Sequence, residues 1–151
     1  MGCLTFSKLV YEQWSTVSPV EKVNLTGKVV VIIGANTGIG FEASKHFARM
    51  NPARLILGCR NPAKGNAAVE RRLPLPSSTC MKFYFKWYLE IKEETGYQAV
   101  ELWDIDLSQF SSVKAFAERF NKSGERLDLL IQNAAIATTT FEGTSDGWES
   151  S

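Results

Sequence analysis

Histidine is nearly absent from this chain of 151 residues, cysteine is scarce, and no apolar run approaches the roughly 20 residues of a membrane span. His46, the only histidine, invites a catalytic reading, but it lies beside the apolar stripe of a predicted helix, where a solvated surface position is favoured. Cys3, Cys59 and Cys80 are odd in number, scattered and without metal-ligand spacing, so they read as reduced thiols of a cytoplasmic protein and no metal site is expected. The N-terminus lacks the basic-then-apolar order of a signal peptide. Met1-Gly2 resembles a myristoylation start, but Phe6 occupies the favoured Ser/Thr position and that reading is rejected. With a net charge of +1, nothing argues for nucleic acid or a membrane surface as partner. The length and the 44% hydrophobic content suit one domain with a substantial core.

What the chain does have is Val29-Val30-Val31-Ile32-Ile33 followed by Gly34-Ala35-Asn36-Thr37-Gly38-Ile39-Gly40. Five consecutive β-branched apolar residues predict a strand buried on both faces, and the glycine-rich turn opens into a helical pattern. Gly34 permits a tight exit from the strand, Gly38 removes a side chain where a pyrophosphate approaches the backbone, and Gly40 lets helix and sheet pack closely. The free N–H groups of the first helical turn, at the positive end of the helix dipole, then face an anion. In that helix Ile39, Ala43, Phe47 and Met50 recur at helical spacing as the expected buried stripe.

The spacing Gly-x-x-x-Gly-x-Gly resembles the cofactor loop of the short-chain dehydrogenase/reductase family, most closely its retinol-dehydrogenase-like and secondary-metabolite branches. The resemblance implies a dinucleotide site formed here by Gly34, Asn36, Thr37, Gly38, Ile39 and Gly40. Ile33 stands where the family usually has Thr, which is expected to perturb local hydrogen bonding without closing the site.

Before this turn, residues 1–24 show no sustained periodicity beyond a short helix around 8–14, and residues 25–28 deliver the chain into the first strand. After the first helix, Asn51-Pro52 is a stop, and Leu55 to Arg60 reads as a second parallel strand. An NAD site would place an acidic residue at its end to hold the ribose 2′-hydroxyl; here Cys59-Arg60 stands instead, and a guanidinium suits a 2′-phosphate. NADP is therefore expected rather than NAD, with Lys64 as a second positive charge. The alternative is that Arg60 and Lys64 belong to a solvated face.

The helix expected over residues 63–72 is broken by a Pro-rich stretch and then by residues 81–90, whose period-two alternation predicts an extended strand with no place in a parallel sheet. Removing residues 72–90, 19 in number, restores one amphipathic helix ended by Gly96. This marks an insertion, either a translated intron or gene-model error, or a genuine lineage-specific loop or membrane-touching flap.

Ala99 to Asp104 reads as the third strand, and the family resemblance implies that Asp106 with Leu107 borders the adenine ring; a carboxylate can accept from the adenine amino group. The plainer reading makes Asp106 a turn residue or helix cap. Phe110, Val113, Phe116, Ala117 and Phe120 share one face of the next helix, which Gly124 ends. Leu127 to Ile131 is the fourth strand, with Leu127, Leu129, Leu130 and Ile131 expected to be buried on both faces. Gln132-Asn133-Ala134-Ala135 resembles the family's Asn-Asn-Ala-Gly motif, which implies that Asn133 holds the strand end while Ala134 leaves room for the cofactor. Residues 144–149 look like the start of another helix.

The expected architecture is an α/β, Rossmann-like doubly wound parallel sheet, incomplete, with strand order 3-2-1-4. An N-terminal segment 1–26 precedes a dinucleotide-binding half-domain 27–151 that carries the insertion. The resemblance implies an NADP-dependent oxidoreductase interconverting carbonyl and alcohol on a small, secondary-metabolite substrate. In that family a Ser and a Tyr-x-x-x-Lys pair do the chemistry after this half, and other helices mediate oligomerisation. Neither feature follows here, so no catalytic residue is assigned and the chain is expected to be inert and to aggregate or dimerise. Only Tyr88 and Lys92 have the pair's spacing, at the edge of the insertion and before the third strand. The alternative is a non-catalytic dinucleotide-binding module or a gene fragment. A methyltransferase reading is weaker because Arg60 replaces the carboxylate that would hold a ribose diol, and no P-loop Gly-Lys-Ser/Thr is present. Sequencing the transcript tests the insertion: cDNA lacking the codons for residues 72–90 establishes the intron reading, and cDNA retaining them removes it.

Overall fold

A computed structural model describes residues 18–60, 88–137 and 139–149. Lys64, Cys3, Cys80, the helices expected near residues 8–14 and 63–72, and residues 81–87 of the extended stretch lie outside the described residues. The β-branched run forms β1 (Val29–Ile33), every residue of it buried. It is followed by α1 (Gly38–Arg49), β2 (Arg54–Cys59), a helix α2 over residues 88–95, β3 (Val100–Asp104), α3 (Phe110–Lys122) and β4 (Leu129–Gln132). All four strands are parallel, in the order β3-β2-β1-β4 that the sequence predicts. Asn51, at φ +53, ends the turn after α1, and Gly96 and Gly124, both at positive φ, close α2 and α3.

Because successive strand residues point to opposite faces, β1 feeds two separate cores. Val30 and Ile32 join Leu55, Leu57, Ala48, Ile91 and Val100 beneath α1 and α2. Val29, Val31 and Ile33 join Ile56, Trp103 and Ile105 on the other face, where Phe116 and Phe120 of α3 pack against them. The stripe expected on α1 is rotated. Ile39 is 82% exposed, and the buried positions are Gly40, Ser44, Lys45 and Ala48, with Phe41, Phe47 and Met50 partly buried. The register follows from Gly40, whose missing side chain places that side of the helix against the sheet. Lys45 keeps its charge paired by reaching Glu42 at 2.9 Å and Glu94 of α2 at 3.3 Å.

Three further expectations change. Residues 88–90, predicted as the end of a strand, are helical and belong to α2, whose Ile91 is fully buried in the core formed with β1 and β2. Their period-two pattern is outweighed by continuity with the helix that follows. Residues 144–149 form a turn rather than a helix, closed by Gly147 N–H donating to the Thr144 carbonyl and by a bridge between Gly143 and Glu149. Asp146 in this turn accepts from the Phe110 N–H at 2.6 Å, so the segment caps α3. In β4 the apolar side chains are not buried on both faces: Leu129 is 37% exposed and Leu130 48%, with Leu127 just before the strand at 40%. Among the described residues β4 pairs with β1 alone, and α3 sits over β3 rather than β4. The gap between α3 and the β1–β4 side of the sheet is an apolar groove of about 480 Å³, bordered by Val31, Val113, Phe116, Leu127 and Leu130.

The starts of β1 and β4 are joined by Asp128. Its carboxylate accepts from the Val29 N–H at 3.0 Å and meets Lys28 Nζ at 3.2 Å and Arg126 at 3.1 Å, while its own N–H donates to the Val29 carbonyl. The Val29 N–H, and then the Lys28 contact, hold this carboxyl below the usual carboxylate range. A depressed folded-state pKa stabilises the fold above the unfolded value of about 3.9, and the contribution is lost as pH falls through the folded value. Asp128→Asn is therefore expected to destabilise at neutral pH and to cost progressively less under acid. Urea unfolding at several pH values checks this; a penalty independent of pH contradicts it.

Candidate functional site

Parallel strands bring all four of their C-terminal ends to one edge of the sheet, with Ile33 level with Gly58 and Gln132, and Cys59 level with Asp104. The described candidates for the nucleotide site lie in the loops leaving this edge or in the first turn of α1. At its centre β1 turns at Gly34, φ +84, into α1. A Cβ on Gly34 would stand 2.6 Å from the Ala134 nitrogen, and one on Gly40 would stand 2.2 Å from the Gly34 carbonyl oxygen and 2.5 Å from Asn133 Nδ2. The two glycines thus let the strand exit, the helix entry and the end of β4 meet without side chains between them. Asn133 locks the junction: its Nδ2 donates to the Gly34 carbonyl at 2.9 Å, while its backbone N–H and that of Ala134 both reach the Ile33 carbonyl at 3.0 Å. Ile33 in the position of the family's Thr leaves this backbone network formed, its side chain buried on the α3 face.

Gly38 plays a different part. It has φ +57, and a Cβ there would meet nothing within 4 Å, so the turn is open in front of it. Thr37 caps α1 in an extended conformation, its side chain makes no capping hydrogen bond, and the first turn holds no acidic residue. The N–H groups of that turn, beside exposed Thr37, Gly38 and Ile39 and half-buried Asn36, are oriented toward the open side with the helix dipole behind them. Such an arrangement receives an anion.

Beside this turn, Arg60 leaves β2 and Asp106 leaves β3 at neighbouring points, because the Cys59 carbonyl accepts from the Ile105 N–H at 3.1 Å. Asp106 Oδ1 accepts from the Ser108 N–H at 3.0 Å and the Ser108 hydroxyl at 2.6 Å, the geometry of an Asx turn. The Ser108 hydrogen bonds, with a smaller contribution from the Arg60 charge, hold the Asp106 carboxyl below its ordinary value. Leu107, next to it, is half exposed. Ser108 and Ser112, whose Oγ accepts from the Asp106 N–H at 2.9 Å, were not singled out from the sequence; an Asp followed two residues later by Ser is the signal for the first of them. Cys59 lies under the same turn, buried, its thiol pushed up to about 12 by desolvation, with the Ala35 N–H acting in the opposite sense.

The structure does not bring the remaining candidates to this edge. His46 is exposed on α1. The Tyr88 hydroxyl donates at 3.3 Å to the carbonyl of Val100, the first residue of β3 and so at the opposite end of the sheet, and Lys92 Nζ sits 4.6 Å over the Tyr88 ring. Among the described residues no group of His, Cys, Asp and Glu is arranged to hold a metal ion, and no helix is long and apolar enough to cross a membrane.

No protein-family model matches the chain. It is 40% identical over 127 residues to the WW domain-containing oxidoreductase of Gallus gallus and 37% identical over 127 residues to retinol dehydrogenase 12 of Mus musculus, covering 84% of this chain in each case. The chain spans 26% and 34%, respectively, of the length of those relatives. A short chain dehydrogenase from Escherichia coli CFT073, solved in complex with NADPH, shares the fold with a TM-score of 0.56 and 24% identity, over 78% of this chain and 41% of that one.

The two close contacts of Gly40 set a stability test. Gly40→Ala is expected to lose about 1–3 kcal/mol, because the backbone and the Asn133 amide must both move to admit a methyl group. Urea unfolding measures this, and an unchanged midpoint would contradict the packing described.

Proposed function

We propose that this chain, which belongs to the short-chain dehydrogenase/reductase family, binds NADP at the C-terminal edge of its sheet. The observation that carries the reading is the open, uncapped start of α1 at Gly38, held against the strand ends by Gly34, Gly40 and Asn133. In this reading the pyrophosphate lies on the turn formed by Gly34, Asn36, Thr37, Gly38, Ile39 and Gly40, where backbone N–H groups and the helix dipole favour negative charge. Asp106 and Leu107 border the adenine, and Asn133 and Ala134 border the ribose on the β4 side. Arg60 supports the 2′-phosphate: it is exposed at the end of β2, where an NAD site would carry a carboxylate. Lys64 is proposed to add to the same charge. The NADPH held by the Escherichia coli fold neighbour agrees with this choice.

The reaction we assign to the whole protein is carbonyl–alcohol interconversion with hydride transfer to or from the nicotinamide, on a small secondary-metabolite substrate. A second reading, a dinucleotide-binding module without turnover, is favoured by one observation. Tyr88 and Lys92, the chain's one pair with the spacing of the family's acid/base dyad, are held at the other end of the sheet. The segment 72–90 is proposed as an insertion between the β2 and β3 units of a half-domain 27–151.

Calorimetric titration with NADP and NAD tests the cofactor assignment. Arg60→Ala is expected to lose about 1–3 kcal/mol of NADP affinity, the scale of a charge-assisted hydrogen bond, with little change for NAD. Gly38→Val is expected to weaken both nucleotides alike, because the obstructed pyrophosphate is common to them. Equal affinities in the unmutated protein would remove the Arg60 assignment, and a loss confined to NADP in Gly38→Val would displace the loop.

A further inference from the structure

Asp106 carries a negative charge fixed beside the residue proposed to read the 2′-phosphate. Arg60 and Asp106 each follow a residue of the hydrogen bond from the Ile105 N–H to the Cys59 carbonyl, 3.1 Å long, so their side chains start from adjacent strand ends. The carboxylate cannot readily turn away. Oδ1 accepts from both the N–H and the hydroxyl of Ser108, at 3.0 and 2.6 Å, and the Asp106 N–H is held by Ser112 Oγ at 2.9 Å. Arg60 in turn favours the charged form of Asp106, so each group feels the other. A phosphate arriving at Arg60 carries close to two negative charges and draws on a guanidinium charge that Asp106 already partly offsets, whereas the neutral 2′-hydroxyl of NAD makes little demand on that charge.

We infer that Asp106 is a specificity-determining residue acting through Arg60: its fixed carboxylate offsets part of the guanidinium charge and so limits the preference of this site for NADP over NAD. The inference rests on the reading of Arg60 as the 2′-phosphate contact. It is separate from any contact between Asp106 and adenine, since adenine is common to both nucleotides and cancels in the ratio of their affinities.

The test is calorimetric titration of the full chain with NADP and with NAD at low ionic strength. Asp106→Asn removes the charge and keeps an oxygen that can accept from Ser108. It is expected to raise the NADP:NAD affinity ratio by roughly two- to fivefold, the range of an exposed charge pair, and the gain is expected to shrink as salt is added. In an Arg60→Ala background the same substitution is expected to leave the ratio nearly unchanged, because the group it acts through is gone. Asp106→Glu keeps the charge while disturbing the Asx turn, and is expected to leave the ratio near that of the unmutated protein. An Asp106→Asn ratio that is unchanged or lower, in a protein where Arg60→Ala does reduce the ratio, overturns the inference alone. A gain that persists without Arg60 overturns it equally, by tracing the effect to direct repulsion of the phosphate, and so does one that Asp106→Glu reproduces, by tracing it to loop structure. A ratio near one in the unmutated protein that Arg60→Ala does not move overturns the reading of Arg60, and the inference with it.

Discussion

The contact on which the rest depends is the meeting of Gly34, Gly40 and Asn133 at the edge of the sheet. Three pieces of backbone, the exit of β1, the first turn of α1 and the end of β4, converge where a single added carbon would lie 2.2 to 2.6 Å from its neighbours. The Asn133 amide converts that proximity into a hydrogen bond to the Gly34 carbonyl. Because the junction is closed from behind, the start of α1 is held with its free N–H groups directed outward. Gly38, by contrast, meets nothing. One glycine-rich turn therefore contains two kinds of glycine, those whose missing side chain the packing requires and one, Gly38, that suits a positive φ and leaves space in front of it.

Where one physical cause dominated, the sequence was easy to read. Five β-branched residues in a row could only be a strand covered on both faces, and the structure divides them between two cores. The stops at Asn51, Gly96 and Gly124 follow from equally local signals, whereas the strand order was implied by the family resemblance. The turn around Asn36 to Gly40 was legible because it joins glycine spacing to a strand before it and a helix after it. Asp106 was read both as a nucleotide contact and as a turn residue, and its bonds to Ser108 place it in the turn without opposing the other role.

Errors came where helical phase or tertiary neighbours decide. Ile39 fits an apolar stripe by spacing, yet the close approach at Gly40 rotates the helix and leaves Ile39 in solvent. Residues 88–90 alternate like a strand, but Ile91 anchors them as a helix. The leucines of β4 are apolar enough for an interior strand. Their exposure reflects which elements adjoin β4 among the described residues, and no local pattern encodes that. In the same way residues 144–149 resemble a helix start until Asp146 is seen capping α3 and the Trp148 ring packing 6.0 Å from that of Phe110.

Two kinds of observation bear on cofactor chemistry, and they differ in reach. In the proposed reading the glycine–asparagine junction faces the phosphates that every dinucleotide shares, whereas Arg60, with Asp106 acting through it, bears on the position that separates NADP from NAD. The central claim is the first, that the outward N–H groups of the turn receive the pyrophosphate. Backbone amide NMR of the full chain titrated with NADP measures this most directly. The account predicts saturable shifts concentrated at the amides of Asn36, Thr37, Gly38 and Ile39, with His46 and the α2 residues unmoved. Saturable binding that leaves those four amides unshifted would contradict it.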